Sequence, residues 1–419
     1  MTNRLARDML MATHLTRAGR LAAATELLQR LLHGVSHEPH TDDVVEDPSE
    51  VTERLPPSLA DPTIDSSMSG RPSGGEAIPQ LTNSLRSLFE RMKRSALQVE
   101  REGPVSRSPT LAQDIVPVGG QFLERSYSNH AGARPYKLYV PRSYRAQPVP
   151  LIVMLHGCTQ SPDDFAAGTR MNEMAEEHTC LVVYPEQVAS ANASKCWNWF
   201  SRDDQQRGQG EPALIAGITR EVMAAYRIDQ QRVYVAGLSA GGAAAAIMGA
   251  TYPDLYAAIG VHSGLACGCA SDLPSAFAAM RRGGASPGSQ APRLSENGHE
   301  HFGANQRAVP TIVFHGDQDK TVHPSNGDDV LTQFGAEIGD LLAAVESGRV
   351  LNGHSYSRTR LCDASGRAVF EKWVIHGAGH AWSGGSPAGS YTDSRGPNAT
   401  REMLRFFREQ TRPVPEKST

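Results

Sequence analysis

The stretch Val233-Tyr234-Val235-Ala236-Gly237-Leu238-Ser239-Ala240-Gly241 decides the fold. Its first four residues read as a buried strand, and the Gly-x-Ser-x-Gly that follows reads as a sharp strand-to-helix turn with a serine exposed at its tip. Glycines flank the serine because a turn this tight leaves no room for a β-carbon beside it. Behind the turn, Ala243-Ala244-Ala245-Ala246-Ile247-Met248 is helix-prone and small. Such a helix packs close beneath the serine and aims its N-terminal amides at a developing negative charge. The five-residue motif is short, and the strand before and helix after are what make it a nucleophile elbow rather than a structural turn.

Working outward from the elbow, residues 136–140 alternate like a half-exposed strand, and 151–155, 181–184, 232–236, 258–262, 311–314 and 373–376 are short apolar runs. Helical patterns fall between most of them, at 171–178, 212–226 and 240–252. Strands alternating with helices predict an α/β domain over 106–412, built on a mostly parallel sheet covered on both faces, with its chemistry at the carboxyl ends of the strands. Residues 272–307, rich in Gly, Ser, Pro and Arg, read as an insertion: a surface excursion or part of a lid.

The N-terminal quarter has a different texture. Apolar residues Leu5, Met9, Ala12, Leu15, Ala22, Leu28 and Leu31 keep near-helical spacing, so 1–35 is expected to be a helical segment closed by Gly34. Residues 36–80 are Asp, Glu, Pro, Ser and Gly with little to bury, which predicts a disordered linker. Residues 81–105 carry Leu85, Leu88, Phe89 and Met92 on one face and Arg86, Arg91, Lys93 and Arg94 elsewhere, a basic amphipathic helix. These N-terminal helices either dock on the catalytic domain or serve a protein partner or self-association.

With 419 residues, 39% of them hydrophobic, the chain suffices for one large core and additional material. A formal net charge of −4, with both signs spread along the chain, argues against a nucleic-acid partner. No apolar run is long enough for a membrane span. Arg4, Arg7, Asp8, Arg17, Arg20, Glu26 and Arg30 interrupt every apolar stretch near the N-terminus, so no secretory signal is legible and a cytoplasmic setting is favoured. The six cysteines, including Cys267-Gly268-Cys269, have no metal-site spacing.

A serine hydroxyl needs a base, and the base needs an acid to fix its tautomer; in α/β-hydrolases they follow in the order Ser, acid, His. Phe314-His315-Gly316-Asp317-Gln318-Asp319 supplies the acid just beyond a strand. Asp319 is preferred, since its spacing lets the loop turn back, while Asp317 sits where aspartate commonly bonds turn amides. For the base, Val374-Ile375-His376-Gly377-Ala378-Gly379-His380 offers His376 at the strand end and His380 beyond two glycines that let the loop return over the serine. His380 is preferred; His323, close to Asp319, is the other contender. Oxyanion donors are expected at the amide of Ala240, heading its helix, and at that of Cys158, where Leu151-Ile152-Val153-Met154-Leu155 runs into His156-Gly157-Cys158.

With His156-Gly157-Cys158, Cys196-Trp197-Asn198-Trp199-Phe200, Gly237-Leu238-Ser239-Ala240-Gly241-Gly242, His315-Gly316-Asp317-Gln318-Asp319 and Gly379-His380-Ala381-Trp382 in this order, the chain resembles the polyhydroxybutyrate depolymerase family of esterases, which includes feruloyl and acetylxylan esterases. The resemblance covers about 122–407 and implies an α/β-hydrolase fold, Ser239 as nucleophile, Asp319 as acid, His380 as base, and an oxyanion hole from Cys158 and Ala240. It also implies a Cys158–Cys196 disulfide, Trp197 and Trp199 walling the substrate pocket with one of them buried, and Trp382 flanking His380. Many relatives are exported, and the first hundred residues lie outside the family pattern. The implied reaction is hydrolysis of a carboxylic ester, either a hydroxybutyrate oligomer or a feruloyl or acetyl ester, without cofactor or metal. A partner-binding protein with a vestigial hydrolase domain is the reading from another class.

Overall fold

The computed structural model describes residues 115–282, 309–335 and 341–413. The expected N-terminal segments 1–35, 36–80 and 81–105 lie outside the described residues, as does most of the expected insertion.

Ten strands form one sheet in the order β1-β2-β4-β3-β5-β6-β7-β10-β9-β8. Its centre is parallel: β4 (Leu181–Pro185), β3 (Val149–Leu155), β5 (Ile228–Leu238), β6 (Ala258–His262), β7 (Thr311–Gly316) and β10 (Ala368–His376). Antiparallel strands extend both sides, β1 (Gln121–Asn129) and β2 (Gly132–Val140) on one, β9 (Ser355–Cys362) and β8 (Leu342–Arg349) on the other. The central runs are rich in apolar residues because both faces are covered: every residue of β3, β4, β6 and β7 is buried. A two-stranded parallel pair, β11 (Trp382–Ser383) and β12 (Thr392–Asp393), lies outside the main sheet.

The helices divide between the faces. On one lie α3 (Gly210–Ala225), α4 (Ala240–Thr251), α5 (Leu273–Arg282) and α6 (Ser325–Gly335), contributing Ile215, Ala244, Ala276 and Val330 to one core layer. On the other lie α1 (Pro162–Thr169), α2 (Met171–His178) and α7 (Ala399–Arg408), contributing Phe165, Met171 and Phe406 to the second. Leu273 to Arg282, expected as the start of an irregular insertion, is helical, with Ala276 and Ala279 facing inward.

The elbow glycines answer the want of room that the sequence suggests, and not a need for positive φ. Neither Gly237 nor Gly241 has positive φ; Ser239 does, at φ 57° and ψ −118°. What the glycines supply is proximity: a β-carbon on Gly237 would lie 2.2 Å from Gly241 O, and one on Gly241 2.0 Å from Leu155 O. Helix α4 is thereby pressed against the end of β3 as well as the end of β5.

Gly241→Ala is therefore expected to lose about 1–3 kcal/mol of stability by forcing backbones apart, read as a lowered urea midpoint. Gly379→Ala, where a β-carbon meets nothing within 4 Å, is expected to stay within about 0.5 kcal/mol of the parent.

Candidate active site

Ser239 stands between β5 and α4, its strained backbone held by two bonds: its amide donates to His262 O at 2.9 Å, and its carbonyl accepts from Ala243 N at 2.9 Å. Ala240 opens α4, so its amide is among the N-terminal donors without an intrahelical acceptor. The loop after β3 runs beside it: a β-carbon on Gly157 would sit 3.7 Å from Ser239 Cβ and 3.4 Å from Leu238 O. Gly157 N donates to Gln160 Oε1 at 2.9 Å, and Gln160 Nε2 donates on to Asp164 Oδ2 at 2.8 Å. Gln160, which sequence reasoning passed over, thus pins the turn that presents Cys158. A disulfide joins Cys158 to Cys196, with their Cα atoms 4.2 Å apart.

Asp319 and His380 meet. His380 Nδ1 donates to Asp319 Oδ2 at 2.7 Å, with both side chains buried. Asp319 Oδ1 accepts from the amides of Thr321 and Val322, both at 2.9 Å, and His315 Nε2 lies 3.4 Å from Oδ2. Burial alone would raise this carboxyl, but the charge of His380 and hydrogen bonds from His315 and His380 outweigh it and hold Asp319 well below the usual carboxylate range. His380 Nε2 is buried and has no hydrogen-bond partner among the described residues. Such a nitrogen is what a general base requires.

The alternatives fall elsewhere. Asp317 pairs with His376 at 2.9 Å in a partly exposed position, and His323 is an exposed residue bonded to Ser325 Oγ at 2.8 Å. Two further histidines surround the site as neutral, buried groups. His262, stacked between Phe314 and Trp382, is held well below its usual value by burial. His156 is pushed down to about 4 by burial, donating to Gly157 O and accepting from Gln187 N.

Trp197, Trp199 and Trp382 are 0, 7 and 1% exposed, so both of the first two are buried where one was expected to be. Each fully buried indole has an internal acceptor: Trp197 Nε1 donates to His156 O at 3.1 Å and Trp382 Nε1 to Thr400 Oγ1 at 2.9 Å. The residue left at the surface is Phe200, which packs edge-on against Trp199 and lines an open cleft with Arg202, Asp203, Asp272 and Leu273. The loop from Cys196 to Phe200 is gripped by Glu211 in the first turn of α3. Glu211 accepts from Asn198 N at 2.7 Å and Asn198 Nδ2 at 2.8 Å, and also from Gln187 Nε2.

A serine elbow at the centre of a mostly parallel sheet, with an Asp and a His following from later strand ends, defines the α/β-hydrolase class. Within that class the chain belongs to the family described as esterase PHB depolymerase, whose sequence model matches residues 134–352. It is 33% identical over 242 residues to poly(3-hydroxyalkanoate) depolymerase C of Paucimonas lemoignei, a match covering 58% of this chain and 57% of that protein. It is 30% identical over 216 residues to feruloyl esterase B of Thermothelomyces thermophilus, covering 50% of this chain and 72% of the relative. The chain therefore spans little more than half the length of the depolymerase. An acetyl xylan esterase from Aspergillus awamori has the same fold, with a TM-score of 0.51, 20% identity and coverage of 69% of this chain and 99% of that one. No helix among the described residues is long and apolar enough to cross a membrane.

Burial, reinforced by the charge of Asp204, pushes Glu211 up to about 7 against the bonds from Asn198 and Gln187. A carboxyl whose folded pKa lies above its unfolded one contributes stability that is complete below the unfolded value and lost as pH rises through the folded value. Unfolding free energy relative to Glu211→Gln is therefore expected to fall between about pH 4.5 and 7 and then level off. Urea titrations of both proteins across that range check it; parallel curves would refute it.

Proposed function

We propose that this chain is a serine carboxylic ester hydrolase. Ser239 is the nucleophile, His380 the general base and then acid, Asp319 its orienting partner, and the amides of Cys158 and Ala240 the oxyanion hole. The observation that carries this reading is the buried His380–Asp319 pair, whose remaining ring nitrogen is left without a partner.

Each step follows from the chemistry of these groups. Ser239 Oγ attacks the ester carbonyl while His380 Nε2 takes its proton; the new positive charge on the imidazole is stabilised by Asp319, which its four donors keep ionised. The negative charge on the former carbonyl oxygen falls to the Cys158 and Ala240 amides, a contribution of about 10²–10³ in turnover for one such donor. The tetrahedral intermediate collapses as His380 returns the proton to the leaving alcohol. Water then enters, loses its proton to the same nitrogen, and releases the acid from Ser239. Strain at Ser239 and the neutral, buried His156 and His262 fit this scheme, since neither histidine competes for the proton near neutral pH.

The substrate class we propose is the short-chain hydroxyalkanoate ester, as in hydroxybutyrate oligomers. Support comes from membership of the depolymerase family and from the depolymerase relative over the catalytic region. Feruloyl and acetylxylan esters are the competing substrates, favoured by the esterase relatives.

Ser239→Ala is expected to lower turnover of a short p-nitrophenyl ester by about 10⁴–10⁶ with an unchanged unfolding curve; near-normal turnover would overturn the assignment. In a kcat/KM comparison of hydroxybutyrate trimer, methyl ferulate and acetylated xylo-oligomers, the trimer is expected to rank first. A higher value on either of the others moves the substrate class there.

A further inference from the structure

The two aspartates and two histidines that compete in the sequence form an inner and an outer pair across the same two loops. The inner pair is Asp319–His380. In the outer one, Asp317 Oδ2 accepts from His376 Nδ1 at 2.9 Å and Asp317 Oδ1 accepts from Gly377 N at 2.7 Å. Backbone bonds close the same seam: Asp317 N donates to Ile375 O at 3.1 Å and Gln318 N to Ala378 O at 3.0 Å. His376 is fixed from its other side as well, by Ser357 Oγ at 2.9 Å from Nε2 and by His354 Nδ1, which donates to His376 O at 2.9 Å.

Ser357, His376 and Asp317 thus form a Ser–His–Asp chain of their own. It is not a second centre of acyl transfer. Ser357 stands in the middle of β9, opposite Val374 and Ser347, and β9 runs on through Cys362, so no helix start lies behind it to supply oxyanion amides. What the chain does is hold His376 and Gly377 at the point where the loop leaves β10. Gly377 takes a φ of 80° there. Past Ala378 the support thins, and a β-carbon on Gly379 would meet nothing within 4 Å. Beside its own bond to Asp319, the position of His380 depends on where the loop starts and on Trp382, whose amide bonds Tyr391 O at 2.7 Å.

We propose that Asp317 and His376 are positioning residues for His380, fixing the start of its loop and so the reach of its imidazole toward Ser239. This rests on His380 being the general base, as argued above. His380 moves a proton in both half-reactions, so misplacing it slows acylation and deacylation together and leaves KM nearly unchanged. A misplacement of about 1 Å costs up to about 10²-fold in rate.

The test uses the full chain carrying Asp317→Ala, His376→Ala or His376→Asn, with turnover normalised to active sites titrated by a phosphonate ester, so that any misfolded fraction drops out. Asp317→Ala and His376→Ala are expected to lower kcat per titrated site by about 10–100-fold at nearly constant KM. His376→Asn, which keeps a donor near the Nδ1 position, is expected to recover most of the loss. In proton NMR, the downfield resonance of the His380–Asp319 hydrogen bond is expected to shift or broaden in the alanine variants and return with Asn. Loss of titratable sites with unchanged kcat per site and an unmoved resonance would overturn the proposal, since a merely structural pair behaves that way. If instead Ser239→Ala kept full activity, the assignment of the nucleophile would fail, while the resonance would still report whether the outer pair sets the geometry of the inner one.

Discussion

The contact between Gly241 and the end of β3 is the constraint on which the site depends. With no β-carbon at Gly241 or Gly237, helix α4 drops until its first turn touches the carbonyls of Leu155 and His156. That approach puts three things in one place: the serine turn, the N-terminus of α4 with its free amides, and the loop that carries Cys158. A single β-carbon there pushes the end of β5 and the start of α4 away from the end of β3. The strain at Ser239 follows from the same contact, because a chain that must pass from β5 into a helix this close has only a left-handed turn available, and the bond from its amide to His262 O keeps it there.

Around that contact, burial sets the charge state of each ionisable group. Asp319 is stripped of water yet surrounded by donors, so it stays a carboxylate. His156 and His262 are stripped of water and face their own turn or the ring stack, so they stay neutral. One anion among neutral imidazoles is the arrangement in which a proton taken up by His380 is stabilised and not shared out. The disulfide and Glu211 extend the same rigidity to the loop from Cys196 to Phe200, tying it to the oxyanion turn on one side and to α3 on the other.

Much of this was legible in the chain. Six apolar runs mark the six parallel strands, because strands covered on both faces need no polar residues; β6 and α2 begin and end where the pattern does. Of the antiparallel edges only β2 was legible, in the alternation of residues 136–140; β1, β8 and β9 were not, and the residues of β8 and β9 are exposed or half-exposed throughout, so that no buried face gives them an apolar period. Helix α7 was missed although its Met403, Phe406 and Phe407 are wholly buried. Trp197 and Trp199 are both buried where one was expected to be. The spacing of the tryptophans tells that they travel with the site, but not that the indole donors of Trp197 and Trp382 find partners behind it, in His156 O and Thr400 Oγ1.

By itself the sequence determined the strand, turn and helix around Ser239 and the parallel centre of the sheet, and it proposed the order of serine, acid and histidine, because each is written in local pattern: an apolar run, a glycine pair, a loop at a strand end. The tertiary structure decided what two neighbouring candidates do. Asp317 and Asp319 are two residues apart, as chemically alike as His376 and His380 are, and loop spacing ranks them but does not separate them. Packing does: one pair is buried against the ring of His315 and keeps a ring nitrogen unpaired, and the other faces water and closes a seam. Burial and hydrogen-bond partners are properties of the fold, and they are what tells the two pairs apart.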